Sequence, residues 1–355
     1  MTLRRIIKDI LIFMTLGVMI SCLTPIDFPA DVGKGRIAIS GQVSTISERN
    51  IVTIGRTADT QRLPFPVTDA SVILVDELGQ SFFYHENPNK PGDYLLEGFS
   101  AEPGLTYHLD VNLQDGEVYR SMPERVPMMS GIVSTTYEIE KEIVTDAEGA
   151  NLEKSFLKIF AKSSLPVSSE DIYLKWNVEE VYAIVPTDFP DPFGYTPPNC
   201  YVSQNADPQH FALFNGGNIE TTSIDNNLVA KREIDNTFFD RHYFTTYQSA
   251  TTKQGYEYWY KVNVLANQVG SIFDSPPAEI TGNIVNVNKS VEKVNGYFQA
   301  VNESFDRFFI LPNDLPFPLL MPNCVYDNRN LDQYPARCLK CINVRNSSFE
   351  RPVWF

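Results

Sequence analysis

The chain is expected to be mostly β, built as two β-sandwiches in series behind an exported N-terminus. Three features carry that expectation. Short apolar runs alternate with polar residues at period two, turn residues punctuate them, and few stretches hold a helical period over any length. Aromatics at 12%, with 23 Phe and 17 Tyr, argue against disorder, because such side chains must be buried somewhere.

The N-terminus comes first. Arg4, Arg5 and Lys8 precede an apolar run from Ile10 to Ile20, broken by Thr15 and Gly17. The run is too short to span a bilayer as a helix and has the length of a signal-peptide core. It ends in Met19-Ile20-Ser21-Cys22, which resembles the lipobox of bacterial lipoproteins, although Met19 stands where that family prefers leucine. The resemblance implies that residues 1–21 are removed and that Cys22 receives a diacylglycerol. The other readings are a plain signal peptide with a chance cysteine, or an uncleaved anchor; no second apolar segment follows. Residues 22–35, with Pro25, Pro29 and Gly33, read as a tether holding the domains off a membrane.

Residues 36–128 read as the first sandwich. A strand at Arg36–Val43 is followed by Pro66-Val67 to Leu74 and a turn closing at Gly79. Gly92-Asp93-Tyr94-Leu95 comes next, then Pro103-Gly104 to Val111. In the last of these Tyr107, Leu109 and Val111 share one face while His108 and Asp110 share the other. The order of the pieces resembles the transthyretin-like, carboxypeptidase-regulatory β-sandwich, each Gly or Pro-Gly supplying a turn.

Residues 129–287 read as the second sandwich. Ile172, Leu174, Trp176 and Val178 alternate with Tyr173, Lys175, Asn177 and Glu179. Tyr256, Tyr258, Tyr260, Val262 and Val264 alternate with Glu257, Trp259, Lys261 and Asn263, which predicts a second strand. A Trp strand, a Tyr strand and the turn segment Gly270 to Ile280 resemble a fibronectin-III-like sandwich. Between the two strands lies an insertion much longer than a plain module needs, including the proline-rich Pro186 to Tyr201. Residues 288–355 form a Cys-containing C-terminal region.

Together these pieces resemble the Bacteroidetes lipoprotein family described as domain of unknown function 4249. The resemblance rests on Cys22, Val67 to Val72, Gly282-Asn283-Ile284, Gly296-Tyr297-Phe298, and Cys338-Leu-Lys-Cys341 before the aromatic end Pro352-Val353-Trp354-Phe355. It implies an accessory lipoprotein of the outer membrane working beside TonB-dependent receptors. The family brings no established catalytic residues.

Charge and cysteines bound the chemistry. The formal charge is −15, and removing the signal with its net +2 leaves −17. Such a chain repels nucleic-acid phosphates and anionic headgroups, so nucleic acid is not an expected partner. Apart from Cys22, the cysteines are Cys200, Cys324, Cys338 and Cys341, an even set in an exported chain, which points to two disulfides of open pairing. A zinc knuckle or a redox pair at Cys338 and Cys341 is the alternative, without a second paired-ligand motif to complete it.

No nucleophile elbow, zincin motif, phosphate loop or dinucleotide fingerprint occurs. The histidines are His85, His108, His210 and His242. Asp240-Arg241-His242 offers a base and an orienter, yet neighbours on a strand point to opposite faces. Asp188 and Asp191 could contribute to calcium binding, but without an EF-hand pattern. The 44 acids make chance glycosidase-like pairs unavoidable, so a hydrolase remains a third reading. No cofactor is implied. The best partner-binding candidates are Phe189, Phe193, Tyr195 and Tyr201, aromatics on a proline-stiffened loop; the bland alternative packs them on the sandwich. The expected function is therefore a non-enzymatic accessory or binding lipoprotein beside an integral outer-membrane β-barrel. A stand-alone glycan- or nutrient-binding lipoprotein is the alternative.

Overall fold

The computed structural model describes residues 35–57, 65–128, 131–146, 149–165, 171–185, 198–208, 210, 212–217, 222–267, 280–320, 334, 338–339 and 341–355. The expected signal segment, Cys22, Cys324, the turn at Gly270, Asp188, Asp191, Phe189, Phe193 and Tyr195 lie outside the described residues.

The molecule is mostly β. Its first half begins with β1 (Ile37–Ser44), β2 (Ile51–Arg56), β3 (Phe65–Pro66), β4 (Ser71–Asp76) and β5 (Ser81–Glu86). It continues with β6 (Asp93–Leu95), β7 (Thr106–Asn112), β8 (Val118–Ser121) and β9 (Glu124–Arg125). The turn after β4 is closed by Asp76, whose Oδ1 accepts from the Leu78 and Gln80 backbone N–H groups. In β7 the alternation is as expected: Tyr107, Leu109 and Val111 are buried, and His108 and Asp110 are only partly covered. These side chains meet Ile37, Ile39, Val52 and Ile54 of β1 and β2 and Val72 and Leu74 of β4 in one apolar core.

The second half holds β10 (Ile132–Thr145), β11 (Asn151–Ser164), β12 (Tyr173–Ile184), β13 (Cys200–Asn205), β14 (Ala212–Asn215), β15 (Ser223–Glu233) and β16 (His242–Thr251). Helix α1 (Lys253–Asn267), β17 (Ile284–Asn286), β18 (Phe298–Ile310) and β19 (Ser347–Ser348) complete it. Strands β10, β11 and β15 make a separate three-stranded sheet. It packs on the inner face of the large sheet, so Leu157, Ile159 and Val229 meet Leu174, Trp176, Val178 and Phe244. The Trp176 indole N–H is satisfied by Gln248 Oε1 at 2.9 Å, which lets the polar end of the ring be buried.

Residues 253–267 correct the expected strand at Tyr256–Val264: they form α1. Tyr256, Tyr260 and Val264 are as well spaced for a helix face as for a strand face, and tertiary contacts decide. Tyr256 stacks on Tyr260, Tyr258 on Tyr297, and the Thr252 hydroxyl accepts from the Gly255 N–H at the first turn.

Both halves share β18. Its first residues pair in parallel with β1, with Gly41 opposite Phe298 and Ser44 opposite Val301. Its remainder pairs antiparallel with β16, from Asn302 opposite Ala250 to Ile310 opposite His242. One path of hydrogen-bonded strands therefore runs from β17 through β8, β7, β4, β5, β6, β2, β1, β18, β16, β12 and β13 to β19.

Candidate binding face

Alternation along β12, β16 and β18 sends one set of side chains into the core and the other to the opposite face of the sheet. That outer set comprises Lys175 and Glu179 of β12, Tyr243, Thr245, Tyr247 and Ser249 of β16, and Glu303, Phe305, Arg307 and Phe309 of β18. One end of the face is closed by the first half and α1, the other by the last residues of the chain.

At the closed end Glu303, with its side chain fully buried, collects four donors. Arg49 Nε donates to its Oε2 at 2.9 Å, Ser44 Oγ at 2.6 Å and Gln42 Nε2 at 3.2 Å, while Ser249 Oγ donates to Oε1 at 2.6 Å. Arg49 also donates to Glu179 Oε1 at 2.7 Å and lies 3.6 Å from the Tyr247 ring centroid. Burial works against the Arg49 charge, but Glu303 and Glu179 outweigh it and hold the guanidinium protonated above its ordinary range. Beside them Lys175 rests its ammonium 3.8 Å from the Trp259 ring, and burial pushes it down to about 8.

The other end is aromatic and cationic. Phe305 and Phe309 are 49% and 44% exposed, a large apolar area for strand residues at an outer face. Arg307 donates to Thr245 Oγ1 at 2.8 Å and places its guanidinium 3.6 Å from the Trp354 ring. Arg241 lies 4.9 Å from the Phe309 ring and donates to the Tyr243 hydroxyl at 3.2 Å. Among the described residues neither Arg241 nor Arg307 has a carboxylate partner within salt-bridge distance. Two such guanidiniums stand out on a chain of net charge −15. Guanidinium planes and rings together suit a ligand with aromatic surface and negative charge.

Only part of this face was legible in the sequence. Of the four loop aromatics, Tyr201 is described; it sits in β13 and meets Phe355 edge-on at 4.9 Å, at the rim of the face. The stretch Phe305-Asp306-Arg307-Phe308-Phe309 was missed, although its alternation was a readable signal: Phe308 packs inward on Phe244 while its neighbours point out. Cys200 is bonded to Cys341, and Cys338 is disulfide-bonded as well, which supports disulfides over a metal or redox pair for Cys338-Leu-Lys-Cys341.

The histidines are placed elsewhere. His242 does not pair with Asp240; its Nε2 lies 3.0 Å from Glu180 Oε2 on the core side of the sheet, stacked between Phe238 and Phe244. Burial holds the imidazole below its ordinary value despite Glu180. Burial would raise Glu180, but His242 and Arg232, at 2.8 Å, hold it below the usual carboxylate range. His108 lies 3.9 Å from Asp110, and His210 Nε2 lies 3.3 Å from the Leu228 carbonyl.

The Gly282-Asn283 and Gly296-Tyr297-Phe298 segments meet around a buried carboxylate, Glu124. Asn283 exchanges two hydrogen bonds of 2.8 Å with the Phe298 backbone and donates to Glu124 Oε1 at 3.1 Å. Tyr297 and Thr252 donate to the same carboxylate. A Cβ on Gly282 would lie 1.7 Å from the Gly296 carbonyl oxygen, and one on Gly296 would lie 2.0 Å from the Ile39 carbonyl oxygen, so each of these two backbone approaches needs its glycine.

These segments fall within the match to a family model. The family described as domain of unknown function DUF4249 matches residues 24–307, most of the chain. The chain belongs to this family. The match takes in the first core, the Glu124 node, β18 as far as Arg307 and the second core apart from Ile310 and Leu315. A comparison with curated proteins finds no match.

Proposed function

We propose that this DUF4249 protein is a non-enzymatic, lipid-anchored lipoprotein of the outer membrane, an accessory or binding component of an integral β-barrel such as a TonB-dependent receptor. The observation that carries the reading is the aromatic and arginine face, built on rigid paired strands and left half-exposed. Preformed aromatic and Arg side chains lose little freedom on binding and are the usual anchors of protein interfaces. The N-terminal pattern ending in Ser21-Cys22 supports the anchor.

Purifying the lipidated protein from membranes in mild detergent tests this. A single integral β-barrel should co-purify in stoichiometric amount, and the double change Arg307→Ala and Phe309→Ala should reduce its recovery. A barrel-free preparation, or recovery untouched by the double change, refutes it. The exposed rings also suit a stand-alone glycan- or nutrient-binding lipoprotein, which would come off the membrane alone and bind saccharide saturably.

A further inference from the structure

The outer end of the face is already occupied, and by a segment of the same chain. Residues 351–355 form a small closed turn: the Phe355 N–H donates to the Pro352 carbonyl at 3.0 Å, and Arg351 Nε donates to the Phe355 oxygen at 3.1 Å. The turn presents Trp354 to Arg307 and Tyr243, and Phe355 to Tyr243 and Tyr201, with ring centroids 5.3, 5.0 and 4.9 Å apart for the three aromatic pairs. Among the described residues, every hydrogen bond of residues 349–355 stays within residues 348–355. Among the described residues, what holds Trp354 and Phe355 to the sheet is ring contacts and one guanidinium. Trp354 remains 39% exposed and Val353 is fully exposed, so little area is sealed.

The root of the segment is fixed in contrast to its tip. Cys341 is bonded to Cys200 of β13, and Ser347 and Ser348 pair with Val202 and Tyr201. A weakly docked segment on a covalently fixed root keeps a high local concentration over its site, and among the described residues its displacement breaks no strand pairing beyond Ser348.

We propose that the Tyr201, Tyr243 and Arg307 platform is a peptide-recognition site, and that residues 354–355 are its resident, displaceable occupant. This deepens the binding reading above and rests on it. The partner it fits is a polypeptide segment presenting two adjacent aromatic side chains with an acidic residue alongside. The indole stacks on Arg307, the second ring enters between Tyr201 and Tyr243, and the acid meets Arg241, which has no carboxylate partner among the described residues. The occupant on view is itself peptide, which favours peptide over saccharide for this platform.

The probe is the fluorescently labelled peptide Arg-Pro-Val-Trp-Phe, amidated at its end, titrated onto the otherwise intact protein. The double variant Trp354→Ala and Phe355→Ala vacates the platform and should bind the peptide saturably, while the unaltered chain should bind about tenfold more weakly or less, because its own segment competes. Adding Arg307→Lys to the double variant keeps the charge but removes the planar stack, and should weaken binding about tenfold. Placing an acidic residue next to the aromatic pair of the peptide should tighten binding, and Arg241→Ala should abolish that gain. No saturable binding to the vacated variant at about 1 mM peptide, or equal binding to both chains, overturns the proposal. If the peptide fails while a barrel still co-purifies, the occupant is wrong and the accessory reading stands; if the peptide binds and no barrel is found, the reverse holds.

Discussion

At the scale of single residues, the chain concentrates its electrostatic commitments where the two halves meet. Glu303 is buried with Arg49 as its cationic partner, and a buried charge stripped of its partner is far more costly than the pair is worth. Arg49→Ala should therefore destabilise the fold by about 3–5 kcal/mol, read from urea-unfolding midpoints. Arg49→Ala with Glu303→Gln should recover part of that loss, since the buried carboxylate is neutralised while its amide oxygen can still accept from Ser249; a double variant as unstable as the single one would show that packing of Arg49 on Tyr247 is what matters. A second residue-scale expectation concerns the membrane. Cys22→Ala should move the protein from the membrane fraction to the soluble one, because acyl burial contributes roughly 0.8 kcal/mol per CH₂ and the alanine cannot be acylated. A Cys22→Ala protein that still sediments with membranes would contradict the proposed anchor.

At the scale of elements, strands that are half-buried announce themselves and elements fixed by their neighbours do not. Tyr107-Leu109-Val111 and Leu174-Trp176-Val178 were legible because each packs one face on a core and period two follows directly. Helix α1 was not, because an aromatic series at even spacing satisfies two periods at once and its cap is a single Thr252 hydroxyl. The outer face escaped for a related reason: its residues come from three strands far apart in sequence, and register alone brings them together. The same holds for Glu124, whose donors Thr252, Asn283 and Tyr297 arrive from distant segments. Burial pushes the Glu124 carboxyl above its ordinary value of 4.5 against those three hydrogen bonds. A group raised in the folded state binds more protons there than in the unfolded chain, so its contribution is present below the unfolded value and lost as pH rises through the folded one. Urea titrations of Glu124→Gln against the unaltered protein should show the variant gaining relative stability as pH rises from 4.5, with a plateau above the folded value. A difference flat with pH would mean that Glu124 ionises as freely in the fold as out of it.

At the scale of the whole molecule, β18 makes two cores into one structure. Phe298 and Ala300 belong to the first core and Ile310 to the second, so neither half completes its sheet without the same thirteen residues. Arg49 adds a second tie, reaching from the first half to Glu179 of β12. Such coupling predicts a single cooperative transition rather than two. Tryptophan fluorescence gives a readout weighted to the second half: Trp176 lies in its core and Trp354 beside Tyr243, while Trp259 donates to Gln299 at the seam. Leu74→Ala hollows the first core, where Leu74 is fully buried, and should remove about 2–5 kcal/mol. If the halves unfold together, tryptophan fluorescence must report that loss although no tryptophan belongs to the first core, and its urea midpoint should fall in step with the circular-dichroism midpoint. If the halves are independent, the circular-dichroism curve should split into two steps while the fluorescence midpoint stays where it was. The shared strand argues for the first outcome: pulling β18 away from β1 would expose Phe298 and unpair four residues, and the same strand could not then hold its register against β16.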